Sequence, residues 1–176
     1  MMSQGEEVLL VARAFHVVRK VSVAPDGTER VRQIIRHPGA VVVLPLLEDG
    51  RVVLIRNYRI AVDERLLELP AGTLEPDEDP LLAAHRELAE ETGYRAGEME
   101  LLTSFLSSPG ILDERMHLYL ATALRSGPMD LQEGEEIEPL PVAWEEALQM
   151  AYDGRIGDAK TLIGLLYYEM FRRRKV

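Results

Sequence analysis

The sequence predicts an α/β (α+β) fold with an N-terminal antiparallel β-arm, on three observations. The first third carries Val-, Leu- and Phe-rich runs broken by turn residues; one well-capped helix stands near the middle; two further helical stretches close the chain. A length of 176 residues suits one domain and an arm.

In chain order, Val8 to Val23 reads as a strand, Pro25-Asp26-Gly27-Thr28 as a turn, and Glu29 to Arg36 as the return strand. Residues 1–36 are therefore expected to form a hairpin arm, and 37–176 the main domain, with His37-Pro38-Gly39 as the joint. Ala40 to Leu47 is a continuous apolar run, the pattern of a strand buried on both faces. Glu48-Asp49-Gly50 turns the chain into Arg51 to Tyr58, and Leu66 to Leu69 is a short strand ended by Pro70-Ala71-Gly72. The first helix has Asp79 as N-cap, Pro80 at its first position and Gly93 just beyond its end, with Leu81, Ala84 and Leu88 on one face. Strands are expected near Glu100 to Phe105 and Met116 to Ala123, then an acidic loop from Gly127 to Glu138 and a strand from Leu140 to Ala143. Trp144 to Tyr152 and Asp158 to Phe171 read as helices, and the basic tail Arg172 to Lys175 complements the last helix dipole.

Thirty acidic against twenty basic residues give a formal charge of -10, which argues against a general nucleic-acid surface and an anionic-membrane binder. A protein so charged needs cations to handle phosphates. With no cysteine, disulfides, thiolate zinc sites, Fe–S clusters and cysteine nucleophiles are excluded. The N-terminus is polar and acidic, and no apolar run approaches the ~20 residues of a membrane helix, so a soluble, cytoplasmic protein is expected.

The chemistry concentrates between Gly72 and Tyr94. On a helix, Glu87 and Glu91 are one turn apart with Glu90 beside them, within an arc of roughly 100° bordering the apolar stripe. Like charges at this spacing destabilise a helix unless neutralised. Arg86, four residues before Glu90, neutralises one; Glu87 and Glu91 remain as a pair suited to a hard divalent cation, Mg²⁺ or Mn²⁺. None of His16, His37, His85 and His117 has metal-ligand spacing with another.

Gly72, Glu78 and Arg86-Glu87-Leu88-Ala89-Glu90-Glu91-Thr92-Gly93-Tyr94 together match the Nudix box at each of its fixed offsets, so the chain resembles the Nudix hydrolases, which cleave nucleoside diphosphates linked to another moiety. The resemblance implies a mixed, curved β-sheet sandwiched between helices. It implies Glu87, Glu90, Glu91 and the Ala71 carbonyl as metal ligands, Arg86 as the group orienting Glu90, and Gly72 as a tight turn. Glu78 is either a salt bridge to the helix or an outer contact of the metal.

Flanking stretches resemble the ADP-ribose pyrophosphatase branch: Arg56-Asn57-Tyr58-Arg59 with Leu66 to Gly72, the loop Ser107 to Glu114, and Asp153 to Ile156 with Asp158-Ala159-Lys160-Thr161. Ile111-Leu112 depart from that branch's loop. The likeness implies Mg²⁺-dependent hydrolysis of ADP-ribose to AMP and ribose 5-phosphate by a homodimer that exchanges N-terminal strands, with no nucleic-acid or membrane partner. Arg59 would contact the phosphates, Glu114 the terminal ribose, Pro109 would shape the marker loop, and Arg36 would reach the partner's site. Glu135, with Glu133 close behind, would be the catalytic base of the acidic loop. The alternatives are a pyrophosphatase for GDP-mannose or NADH, or a non-catalytic sensor of such a ligand.

Overall fold

The computed structural model describes residues 3–131 and 136–173. Its arm holds three strands: β1 (Ser3–Val11), β2 (His16–Val23) and β3 (Glu29–Arg36), antiparallel in that order. The expected first strand is thus two, folded back at Ala12 to Phe15 where the Ala12 amide donates to the Phe15 carbonyl at 2.9 Å. That turn contains no Gly, Pro, Asn or Asp, so nothing local marked it.

The body is built on β4 (Ala40–Pro45), every residue of which is buried. It pairs in parallel with β9 (Arg115–Ser126) and antiparallel with β7 (Ala71–Thr73), and β8 (Tyr94–Leu106) extends the sheet on the far side of β9. A second sheet places β5 (Arg51–Arg59) between β6 (Glu64–Glu68) and β10 (Ile137–Ala143). Alternation along β4 explains the unbroken apolar run. Val41 and Val43 pack against Ala83, Ala84 and Leu88 of α1 (Pro80–Thr92). Val42 and Leu44 face the opposite side, against Leu54 of β5 and Leu165 of α3 (Ala159–Phe171). α2 (Trp144–Tyr152) joins that second core through Trp144 and Ala147. The mixed sheet is therefore sandwiched between helices, and each buried Val or Leu contributes roughly 1.5–3 kcal/mol.

α1 begins and ends where its caps dictate. Asp79 Oδ1 accepts from the Leu81 amide at 2.8 Å, and Gly93 takes the left-handed conformation at φ 71°. Of its expected apolar face, Ala84 and Leu88 are fully buried and Leu81 is exposed, and Ala83, Glu87 and Glu91 are buried beside them. β8 starts six residues before the expected strand because its first half is solvated and polar. β10 starts at Ile137 despite Pro139 and Pro141; as an edge strand it leaves the missing proline N–H groups facing away from β5. At the C-terminus Arg173 pairs with Glu145 at 2.7 Å and Glu169 at 3.2 Å, and Arg172 pairs with Glu100. These two basic residues tie α3 to α2 and β8. Among the described residues no helix is long and apolar enough to cross a membrane.

Leu54→Ala removes a fully buried side chain from the larger core. It should cost roughly 2–5 kcal/mol of unfolding free energy, read as a lower midpoint in urea with an unchanged slope.

Candidate active site

α1 carries the acidic residues onto β7, the short strand preceding it. Glu91 Oε2 accepts the Ala71 amide at 2.8 Å, which anchors the last turn of the helix to the strand. One turn earlier, Glu87 lies over Gly72. A Cβ at position 72 would stand 1.9 Å from Glu87 Oε1 and 2.4 Å from Oε2, so only glycine admits the carboxylate. Gly72 lies within a strand and does not take a positive φ, which corrects the expectation of a tight turn: the demand is for space, not for an unusual backbone.

Arg86 is the hub of the acidic group. Its Nη1 donates to Glu87 at 2.6 Å and to Glu90 at 3.3 Å; its Nε and Nη2 donate to Glu78 at 2.9 and 2.8 Å. Hydrogen bonding to Glu78, and then to Glu87, holds the guanidinium pKa above its ordinary value. The same contact lowers the Glu78 pKa, and Glu78 also accepts from the Glu75 amide at 3.0 Å. Glu78 is accordingly a salt bridge that fixes Arg86 and the turn before α1.

The donor set suits a hard cation. It is all oxygen, Glu87 and Glu91 are only 6% and 4% exposed, and Glu90 sits partly open beside them. Among the described residues no three His, Asp or Glu side chains are already gathered as a metal-holding group. Mg²⁺ does not require one, since it keeps several waters and binds through one or two carboxylates.

A cleft of about 560 Å³ opens on this platform, lined by Ala71, Gly72, Glu75, Arg86 and Glu87, and by Arg13 of the β1–β2 turn. Arg13, Thr73, Leu74 and Pro76 also line an adjoining cavity of about 490 Å³, which ends at Arg36 and Asp113. Arg36 donates to Asp113 at 2.6 Å and also pairs with Glu6. Glu114 stands behind that end, 3.6 Å from His37. Pro109 lies outside both cavities, against a smaller one of about 240 Å³ with Ile34 and Leu106 on the other side of Arg36. Arg13 carried no sequence signal; it enters the cleft only because the unforeseen turn brings it there.

Arg59 lines none of these cavities. Its Nε and Nη2 bind both oxygens of Glu68 at 2.8 and 2.6 Å. Glu68 is 1% exposed. Burial alone would raise its pKa, but hydrogen bonds from Arg59 and the charge of Lys160 outweigh it and lower the pKa. Glu91 is among the charges that raise the Arg59 pKa, after Glu68 itself, so Arg59 feels an α1 carboxylate directly. The signal for Glu68 was a carboxylate in the middle of Leu66-Leu67-Glu68-Leu69. Glu133 and Glu135 lie outside the described residues.

Fold and site define an acidic-helix platform facing a polar cleft. The chain belongs to the NUDIX domain family, whose model matches residues 36–163. It is 41% identical over 148 residues to the methanol dehydrogenase activator of Bacillus methanolicus, covering 83% of this chain and 80% of the relative. It is 37% identical over 148 residues to the ADP-ribose pyrophosphatase of Bacillus subtilis strain 168, with the same coverage. A crystal structure described as an ADP compounds hydrolase superposes with a TM-score of 0.85 at 21% identity, over 99% of this chain and 95% of that one, and shares the fold.

Gly72→Ala should expel the Glu87 carboxylate from its seat. Turnover of the enzyme's substrate should fall sharply while the circular dichroism spectrum stays that of the folded protein. Full activity in this variant would refute the assigned contact.

Proposed function

We propose that the chain hydrolyses the diphosphate of ADP-ribose to AMP and ribose 5-phosphate with a divalent cation, Mg²⁺ first and Mn²⁺ second. The observation that carries this reading is the buried Glu87, with Glu91 one turn on, at a cleft whose adjoining cavity is lined by Arg36. The likeness to the Bacillus subtilis ADP-ribose pyrophosphatase supports the choice of substrate.

Glu87, Glu90, Glu91 and the Ala71 carbonyl would hold the cation, which when bound neutralises the diphosphate and lowers the pKa of an attacking water. Arg86 keeps Glu87 and Glu90 oriented. Arg59 offers its unused N–H groups to phosphate oxygens, because Glu68 takes only one edge of the guanidinium. Glu135, or Glu133 in its place, removes the proton from water. Water oxygen bonds to one phosphorus, the bond from that phosphorus to the bridging oxygen breaks, and the bridging oxygen leaves with the other phosphate. Glu114 orients the terminal ribose and Pro109 shapes its loop.

The active unit in this proposal is a homodimer. Successive residues of a strand face opposite sides, and Val8, Leu9, Leu10 and Val11 of β1 are all exposed, from 41% to 69%. The arm is therefore apolar on both faces, an arrangement that a second copy of the chain would bury. Arg36, on the arm's last strand, would then serve the partner's site as well as its own Asp113.

The likeness to the methanol dehydrogenase activator favours a second reading, in which the chain acts on an alcohol dehydrogenase. Adding the chain to such a dehydrogenase and following its rate separates the two.

Incubation with Mg²⁺ and ADP-ribose, GDP-mannose, NADH or a diadenosine polyphosphate should release AMP fastest from ADP-ribose, by chromatography. Glu87→Gln should abolish that release with the fold intact; retained activity would overturn the metal assignment. Deleting residues 1–36 should give a monomer by light scattering, with a raised KM. A fully active monomer would end the dimer proposal.

A further inference from the structure

Three charged or polar side chains at the N-terminus of α3 form a network that reaches Glu68 and Leu69, just before the acidic platform. Lys160 is buried, its ammonium bound to Glu68 Oε2 and lying 3.0 Å from Asp158 Oδ1. Asp158 caps α3, accepting from the Thr161 amide at 3.0 Å and the Thr161 hydroxyl at 2.6 Å. That hydroxyl in turn accepts the Leu69 amide at 2.7 Å. Glu68 and Leu69 are thus both held by α3, and both stand within four residues of Ala71 and Gly72.

The charge arrangement has a consequence for Arg59. A guanidinium paired with one carboxylate is neutral as a unit and attracts a further anion weakly. Here Glu68 Oε2 is shared between the half-exposed Arg59 and the buried Lys160, and with Asp158, 3.0 Å from Lys160, the four charges balance; what Lys160 adds is a second anchor that fixes the Glu68 carboxylate. Asp158 is engaged by the helix N-terminus and Thr161 as well as by Lys160. Arg59 has five N–H donors, of which Glu68 takes two, leaving three for an incoming oxyanion. In a protein of net charge -10, with Glu91 and Asp158 both acting on Arg59, the direction in which those donors are held matters for a diphosphate.

We infer that Lys160 is a positioning residue for substrate binding: through Glu68 it keeps Arg59 aimed toward the diphosphate, without touching the substrate itself. This rests on the reading of Arg59 as the phosphate contact.

The test is a kinetic cycle on the full chain with Mg²⁺ and ADP-ribose. Lys160→Met should raise KM roughly tenfold, the effect of losing one charged hydrogen bond, while kcat changes far less. Lys160→Arg, which keeps the cation, should restore KM. In an Arg59→Ala background the Lys160→Met effect on KM should vanish, since the route through Arg59 is gone. A lowered melting temperature in Lys160→Met with KM unchanged would reduce Lys160 to a structural group and overturn the inference. So would an unaltered Lys160→Met effect in the Arg59→Ala background. If Arg59→Ala alone leaves KM unchanged, the reading of Arg59 fails instead. Should Lys160→Met not fold, Lys160→Gln carries the same comparison.

Discussion

The carboxylate of Glu87 occupies space that any side chain at position 72 would fill. That contact brings α1 down on β7, and from it the remaining geometry of the site follows. With Glu87 seated over Gly72, Glu91 one turn on meets the Ala71 amide, and Arg86 on the preceding residue turns toward Glu78. Burying two carboxylates side by side is electrostatically costly. The cost is met locally, by a backbone amide for Glu91 and a guanidinium for Glu87. Stability and function pull in different directions here, because groups so compensated are also the ones suited to bind a cation.

Arg86 and Lys160 solve related problems at two places beside the platform. Arg86 divides one positive charge among three carboxylates, which leaves an excess of negative charge facing the cleft. Lys160 and Arg59 do the reverse, placing two cations on Glu68. Negative charge is therefore in excess at α1, while at the end of β5 the charges of Arg59, Lys160, Glu68 and Asp158 balance.

Local features of the chain were legible in the sequence. Asp79, Pro80 and Gly93 define α1 within one residue, because capping involves neighbours. The burial of β4 on both faces follows from its unbroken apolar run. Features that depend on distant residues were not legible. The reason for Gly72 lies in Glu87, fifteen positions on, and the tie between Glu68 and Lys160 spans 92 positions. The fold-back at Ala12 to Phe15 lacks turn residues, and the first half of β8 lacks an apolar alternation, so pattern alone could not register either. Glu87 and Glu91 were expected at the border of the apolar stripe; their near-complete burial depends on β7 passing over them.

β4 and β9 pair in parallel, Ala40 beside Met116 and Pro45 beside Ala121, and α1 belongs to the long crossover between them. Synthesis therefore produces the acidic helix well before the strand that completes its docking surface. The ties from Lys160 and Thr161 come later still. Pairings so distant in sequence close slowly and late. On the ribosome the platform is consequently among the last parts of the molecule to assemble, and a nascent chain that stops short of α3 carries the acidic motif without the frame that would let it act on a nucleotide.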